Sequence, residues 1–264
     1  MGRPPSISAV ILTRNEEAQI GACLDGLRWC DESVVVDCFS TDRTVEIARE
    51  RAAKVVLRAW PGMWGPQRNA GLAAASGEWV LMIDADERVP DDLRDELATL
   101  AADPGRYAGA WIPRKNFFFG RWLAHGGCYP DYQMRFFRRD RCRYNETAGH
   151  GADTPILDGE TKHLERPMLH FTGQTVSDRI RKMDIDAGIH AREKLGRVRR
   201  VGARDLVLHP LATFFRVYVS RKGYRDGTEG LIFAVLSAVY NFVMYAKLRE
   251  LIAAPRGAGP AGEP

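Results

Sequence analysis

Four short apolar runs, each closed by a polar turn and followed by helix-patterned sequence, fill the first hundred residues of the chain. They are Ile7 to Leu12, Ser33 to Val36, Lys54 to Leu57 and Trp79 to Ile83. Rich in β-branched residues and short, they read as strands buried on both faces. Between them, Ile20, Cys23, Leu24 and Leu27 share one helical face, Val45, Ile47 and Ala48 begin a second helix, and Gln67 to Ala75 reads as a third. Pro90 suits a first helical position, with Asp91 and Asp92 near the positive end of the helix dipole. This alternation predicts an α/β fold with a mostly parallel sheet and right-handed crossovers. Ligands of such sheets bind beyond the carboxyl ends of the strands. Three of those ends are polar: Thr13 with Asn15, Asp37, and Asp84 with Asp86. Turns and caps also favour such residues, but three converging ends mark that edge as the candidate site.

A chain of 264 residues suits one large domain or two lobes, and its 45% hydrophobic content excludes disorder throughout. The net charge of +4 hides an asymmetry. Residues 1–100 carry 11 Lys+Arg against 17 Asp+Glu, and residues 101–264 carry 27 against 17, a net of +10. The basic half suits an anionic partner such as nucleic acid, phospholipid headgroups or a phosphorylated glycolipid, and a solvated basic face accounts for it equally well. Five cysteines form no CxxC pair and leave an odd one over, which fits a reducing compartment and neither a zinc knuckle nor a disulfide framework. The first residues lack an apolar signal-peptide core, so a cytosolic location is expected.

The strongest local motif is Val80 to Glu87, an apolar strand delivering Asp84 and Asp86 one residue apart. Hard divalent cations take oxygen ligands and share them with substrate phosphates, so this DxD suits a metal diphosphate. A haloacid-dehalogenase phosphatase places its DxD after the first strand, whereas three strands precede this one. Neither GxGxxG after the first strand, nor GxxxxGK[ST], nor GxSxG occurs. The remaining folds bind a nucleotide through side chains and a metal.

Four segments in order carry a resemblance: Ala9 to Glu17, Val34 to Thr44, Gln67-Arg68-Asn69, and Ile83-Asp84-Ala85-Asp86-Glu87. Together they resemble glycosyltransferase family 2 with the GT-A fold. The closest likeness is to bacterial enzymes that add a hexose, typically glucose, to the heptose inner core of lipopolysaccharide. It continues through Ile112-Pro113-Arg114, Phe119-Gly120-Arg121, Tyr129 to Phe137, His170 and Tyr224-Arg225-Asp226-Gly227. The resemblance implies an inverting, metal-dependent transfer from a UDP-sugar, with Mg²⁺ or Mn²⁺ as cofactor. It implies that Thr13, Asn15 and Glu16 sit under the nucleotide, Asp37 accepts from uracil, Arg68 reaches base or phosphate, Asp84 contacts ribose and Asp86 holds the metal. Cys38 stands where relatives commonly have serine.

Inversion by direct displacement needs one carboxylate base. Relatives carry a His-Glu pair downstream of the Arg-Phe-Phe segment, whereas here His150 precedes Gly151. Asp131, Glu146 and Asp153 are the remaining candidates, with Asp131 preferred for its well-matched aromatic segment, although a turn-capping role after Pro130 accounts for it nearly as well. His150 reads as a loop histidine or a second metal contact. Phe117 to Trp122 reads as core packing before sugar stacking. A polar helix is expected over Val176 to Lys194, then an apolar one over Gly230 to Ala246 between Arg221-Lys222 and Lys247-Arg249. At about 26 Å the apolar helix is slightly short for a bilayer core of roughly 30 Å. That favours a buried or interfacial position, with basic flanks suited to anionic headgroups.

The organisation expected is a nucleotide-sugar-binding half over 1–105, an acceptor-binding half over 106–175, a helical C-terminal extension over 176–252 and a disordered Gly/Pro-rich tail from 253. The function expected is transfer of a hexose from a UDP-sugar to a lipid-linked glycan or lipopolysaccharide-core acceptor, with no nucleic-acid partner, by an enzyme peripheral on the inner face of the cell membrane. The rival readings are a nucleotide- or glycolipid-binding pseudoenzyme, motivated by Gly151, and a sugar nucleotidyltransferase, whose Gly-rich first loop is missing.

Overall fold

The structure is a computed structural model and describes residues 4–61, 63–146, 155–172 and 175–254. His150, Gly151, Asp153 and nearly all of the tail lie outside the described residues. In chain order the elements begin with β1 (Ile7–Thr13), α1 (Ile20–Asp25), β2 (Glu32–Asp37), α2 (Thr44–Glu50), β3 (Lys54–Leu57), α3 (Trp64–Ala74) and β4 (Trp79–Asp84). Next come β5 (Glu87–Arg88), α4 (Asp91–Ala102), β6 (Tyr107–Phe118), β7 (Arg121–Trp122) and β8 (Asp131–Arg138). The short strands β9 (Cys142–Arg143), β10 (Ile156–Leu157), β11 (Glu160–His163) and β12 (Met168–His170) precede α5 (Val176–Lys194), α6 (Ala203–Phe214) and α7 (Gly227–Ala253). Two compact units result, one of Met1–Asn116 with Tyr129–Thr172, the other of Phe117–Cys128 with Gly173–Pro264.

In the first unit the sheet order is β3-β2-β1-β4-β8-β6-β12-β5. The β1–β2, β1–β4 and β2–β3 pairs are parallel, as the strand-helix alternation requires. All seven residues of β1 are buried, because both of its edges are paired and both of its faces are covered. Ala9 and Ile11 pack with Ile20, Leu24, Leu93 and Leu97 on one face. Val10 and Leu12 pack with Leu72 and Ala75 on the other. Helix α3 approaches that second face so closely that a Cβ on Gly71 would lie 2.3 Å from Val10 Cγ1.

Beyond β4 the sheet changes direction, since β8 pairs antiparallel with both β4 and β6. The ladder also slips: Ala110 faces Phe136 while Trp111 faces Met134, which leaves Arg135 as the extra residue of a β-bulge. Phe136 accordingly joins one core face, and Met134 and Phe137 the other. Strand β12 returns parallel to β6, setting His170 opposite Asn116, and pairs antiparallel with β5, setting His170 opposite Glu87.

The second unit is mainly helical. Helix α5 coincides with the expected span and opens with a capping box between Thr175 and Asp178. Helix α6, which the sequence reading leaves out, contains Pro210 and runs into a π-helical turn at Phe215–Ser220. Helix α7 is longer than expected, 27 residues where the apolar run suggests 230–246. At 1.5 Å per residue it is about 40 Å long, so length does not bar it from crossing a bilayer. The expectation of disorder from Ala253 is corrected at its first residue, because Ala253 closes α7. All five cysteines are free, and burial pushes the Cys23 thiol up to about 12, where it is inert.

Gly71→Val should destabilise the first unit by about 1–3 kcal/mol through overpacking against Val10 and Val36. Urea unfolding monitored by circular dichroism measures it; an unchanged midpoint would mean that α3 can back away from β1.

Candidate active site

The rim of the first unit collects the carboxyl ends of β1, β2 and β4. The register places Thr13 opposite Asp37, and Leu12 opposite Asp84. Asp37 is fully buried and serves as a turn anchor. Its Oδ2 accepts from Thr13 Oγ1 at 2.8 Å and Ser40 Oγ at 2.6 Å, and its Oδ1 accepts from Ser40 N at 2.8 Å. The loops after β1 and β2 are laced together. Asn15, left-handed at φ 57°, accepts from Thr41 N and donates its own N–H to Ser40 Oγ, both at 2.8 Å. The Glu16 N–H donates to Thr44 Oγ1 at 2.7 Å. From α3, Gln67 Nε2 reaches Cys38 Sγ at 3.1 Å, while the Arg68 guanidinium lies 5.3 Å from the centroid of the Tyr144 ring.

Behind the DxD lies a buried ion network that motif reading does not anticipate. Arg135, 6% exposed, donates to Asp84 Oδ2 and, at 3.3 Å, to Glu87 Oε1. Arg114 Nη1 donates to the same Glu87 oxygen at 3.0 Å, and its Nη2 and Nε donate to Asp131 Oδ2 at 2.7 and 3.0 Å. Glu87, wholly buried, also accepts from the Asp84 N–H at 2.9 Å. Burial alone would raise the Asp84 pKa, but Arg135, Arg68 and Arg114 outweigh it and hold this carboxyl well below the usual range. Burial opposes ionisation at Asp131 too, and Arg114 with the hydrogen bonds of Asn116 and Gln133 overcomes it.

Asp86 has a different neighbour. Its Oδ2 lies 3.3 Å from His170 Nε2, while His170 Nδ1 lies 2.6 Å from Asn116 Oδ1. No three His, Cys, Asp or Glu side chains converge as a ready-made metal cage among the described residues. The donor chemistry nevertheless fits a divalent cation. A carboxylate and an imidazole face each other at the strand end, and hard cations complete their shells with phosphate and water.

The base candidates fare unequally. Asp131 accepts four N–H bonds, three on Oδ2 from Arg114 and Asn116 and one on Oδ1 from Gln133. These donors lower the affinity of Asp131 for a proton, while Oδ1, with Gln133 as its one partner here, keeps an acceptor position open. Glu146 accepts from Asn69 Nδ2 at 2.7 Å. Arg135, Arg114, Asn116, Glu87 and His170 are site residues that the sequence reading did not assign. The signal for Arg114, Arg135 and His170 lay in the segments that carry the family resemblance, Ile112-Pro113-Arg114, Tyr129 to Phe137 and His170.

The model of the glycosyl transferase family 2 matches residues 8–156, more than half of the chain. The chain belongs to this family. The glycosyltransferase is 28% identical over 251 residues to the lipopolysaccharide core biosynthesis glycosyltransferase LpsC of Rhizobium meliloti (strain 1021), covering 92% of both chains. Among solved structures, S. aureus TarS 1-349 in complex with UDP aligns over 94% of this glycosyltransferase and 90% of that chain at 18% identity and a TM-score of 0.47. Glucosyl-3-phosphoglycerate synthase from Mycobacterium tuberculosis, in complex with Mn²⁺, UDP-glucose and phosphoglyceric acid, aligns over 43% and 44% at 30% identity and a TM-score of 0.35. The α/β unit of the glycosyltransferase is the GT-A fold expected of its family.

Arg135→Met should cost about 3–5 kcal/mol at pH 7, because it leaves Glu87 and Asp84 without the guanidinium they share. The deficit should shrink on acidification, as protonated carboxyls no longer need the cation. In the parent protein the depressed Asp84 and Asp131 values stabilise fully above about pH 4, the unfolded Asp value, and that contribution is lost as pH falls through the lower folded-state values. Denaturant titrations of both proteins across this range measure the effect; equal stability at pH 7 would contradict it.

Proposed function

We propose that this glycosyltransferase moves a hexose, in the first instance glucose, from a UDP-sugar to a lipopolysaccharide-core or related surface-glycan acceptor, with inversion and with Mg²⁺ or Mn²⁺. The observation that carries the reading is the pairing of Asp86 with His170 at the strand-end rim that also presents Asp84, Thr13 and Asp37. In this reading Asp86 and His170 hold the cation, Asp84 meets the ribose, and Asp37 with Thr13, Asn15 and Glu16 frames the nucleotide. Arg68 extends toward base or phosphate. When bound, the cation neutralises charge developing on the departing diphosphate. The acceptor hydroxyl attacks the anomeric carbon directly and passes its proton to a carboxylate base, for which Asp131, Glu146 and Asp153 are the candidates. Residues 1–105 supply the donor half and 106–175 the acceptor half. The relative named for lipopolysaccharide core biosynthesis supports the acceptor class.

The reading extends to a cytoplasmic enzyme peripheral on the inner membrane face. Gly223–Ala253 is long and apolar enough to cross a membrane, with 22% of its apolar window buried. It also packs within a helical unit, and Lys247 of α7 pairs with Asp184 of the polar α5 at 2.7 Å, an arrangement suited to lying on a membrane rather than spanning it. Two exposed stripes support docking: Val207, Leu208, Leu211, Phe215 and Val219 along α6 and the π-turn, and Leu231, Val235, Val239 and Phe242 on α7. Residues 175–254 carry 15 Lys+Arg against 8 Asp+Glu, net +7, which complements anionic headgroups.

A donor panel read by UDP release tests the activity, and no release with any UDP-sugar and Mn²⁺ would refute it. Asp86→Ala should abolish metal-dependent UDP binding in calorimetry with the fold retained. Asp84→Ala should weaken nucleotide binding by only about 0.5–1.5 kcal/mol if it loses one hydrogen bond to a neutral hydroxyl. Unchanged affinity in Asp86→Ala would sink the metal assignment.

For the membrane, neutralising Arg221, Lys222 and Arg225 should weaken binding to anionic vesicles by about 3 kcal/mol, at roughly 1 kcal/mol per charge near the surface. Liposome co-sedimentation at low salt reads this out. Equal binding to neutral and anionic vesicles would exclude electrostatic docking.

A further inference from the structure

We propose that Asp131 and Asn116 are positioning residues that hold His170 in the tautomer whose Nε2 lone pair faces Asp86, and so build the second protein donor of the cation site. The inference rests on the reading above that Asp86 and His170 hold the cation, and it gives Asp131 a task other than proton transfer.

The chain of assignments starts at Asp131. Its carboxylate is ion-paired with Arg114 at 2.7 Å and offers acceptors alone. The Asn116 group facing it at 3.1 Å is therefore the amide NH₂. The opposite flip would set the amide oxygen against a carboxylate oxygen. With the NH₂ so committed, Oδ1 is the atom that meets His170 Nδ1 at 2.6 Å, and an amide oxygen can only accept. Nδ1 consequently carries the proton. In the neutral form, the one able to ligate a cation, that is the single ring proton, and Nε2, 3.3 Å from Asp86 Oδ2, presents a lone pair. Two acceptors then face each other across a gap that a cation suits.

The sheet makes this arrangement rigid. Asp131 opens β8, Asn116 lies near the end of the neighbouring β6, and His170 ends β12 directly opposite Asn116. Asn116 and His170 are 6% and 8% exposed, so water does not compete for the amide. A partner on the remote nitrogen fixes both the orientation and the basicity of a metal-binding histidine, and loss of such partners costs about 10–100-fold in metal affinity.

The test is Mn²⁺ titration in the presence of UDP, by calorimetry and by the electron paramagnetic resonance of free Mn²⁺, on the full chain. Asn116→Ala should weaken Mn²⁺ about 10–100-fold while metal-free UDP binding stays unchanged. Asn116→Asp and Asp131→Asn should each weaken it, since each mismatches donors and acceptors. In the metal-free protein at about pH 8, histidine ring ¹⁵N resonances should show a protonated Nδ1 and a bare Nε2 at His170, and a tautomer mixture in Asn116→Ala.

Parent-like Mn²⁺ affinity in Asn116→Ala, with His170→Ala impaired, would overturn the positioning role alone. An Asp131→Asn variant that binds Mn²⁺ like the parent but does not turn over would overturn it in favour of Asp131 as the base. Parent-like Mn²⁺ affinity in both Asp86→Ala and His170→Ala would overturn the underlying site assignment, and this inference with it.

Discussion

Guanidinium groups buried among carboxylates are the condition on which the rest of the rim depends. Asp84 closes β4, whose other residues are apolar and buried, and Glu87 opens β5 just beyond it, so two anionic groups are delivered to the boundary of the core. Ionised carboxylates there are costly unless paired and hydrogen-bonded. Arg135 and Arg114 satisfy both requirements, and they come from the strands that extend the parallel half of the sheet. The donor-side loops and the acceptor-side strands are thus joined by electrostatics as well as by backbone pairing.

Much of this unit was legible in the sequence because parallel strands buried on both faces leave an unambiguous trace. The first four strands and the helices between them follow from short apolar runs, and the convergence of Thr13, Asp37 and Asp84 follows from the rule about strand ends. The antiparallel half was less legible for a physical reason. Strands that run the other way bring their first residues to the same rim, so Asp131 belongs there although it opens its strand. The partners of the DxD are Arg135 for Asp84 and His170 for Asp86, and local periodicity carries no information about which distant strands will pair.

The helical unit shows a different failure. Helix α6 was passed over because Pro210 falls inside it, and a proline within a helical pattern reads as a boundary. Along α6 and the π-helical turn after it, Val207, Leu211, Phe215 and Val219 recur every four residues, a regularity that reads as a buried face although these side chains are exposed. The length of α7 was underestimated because apolar content marked only its middle, while its flanking polar residues are equally helical.

The bulge at Arg135 ties the ion network to a count of residues rather than to their chemistry. Along a strand, each residue gained or lost exchanges the two faces for everything on one side of the change. Phe136 and Phe137 are in phase with one stretch of β6, whereas Asp131 and Gln133 are in phase with the other, and one additional residue separates the two frames. A substitution at position 135 removes a charge and leaves that offset intact. Deletion of the residue would heal the ladder into a regular strand and turn Asp131 away from Arg114, so the more ideal sheet would be the one without a working rim.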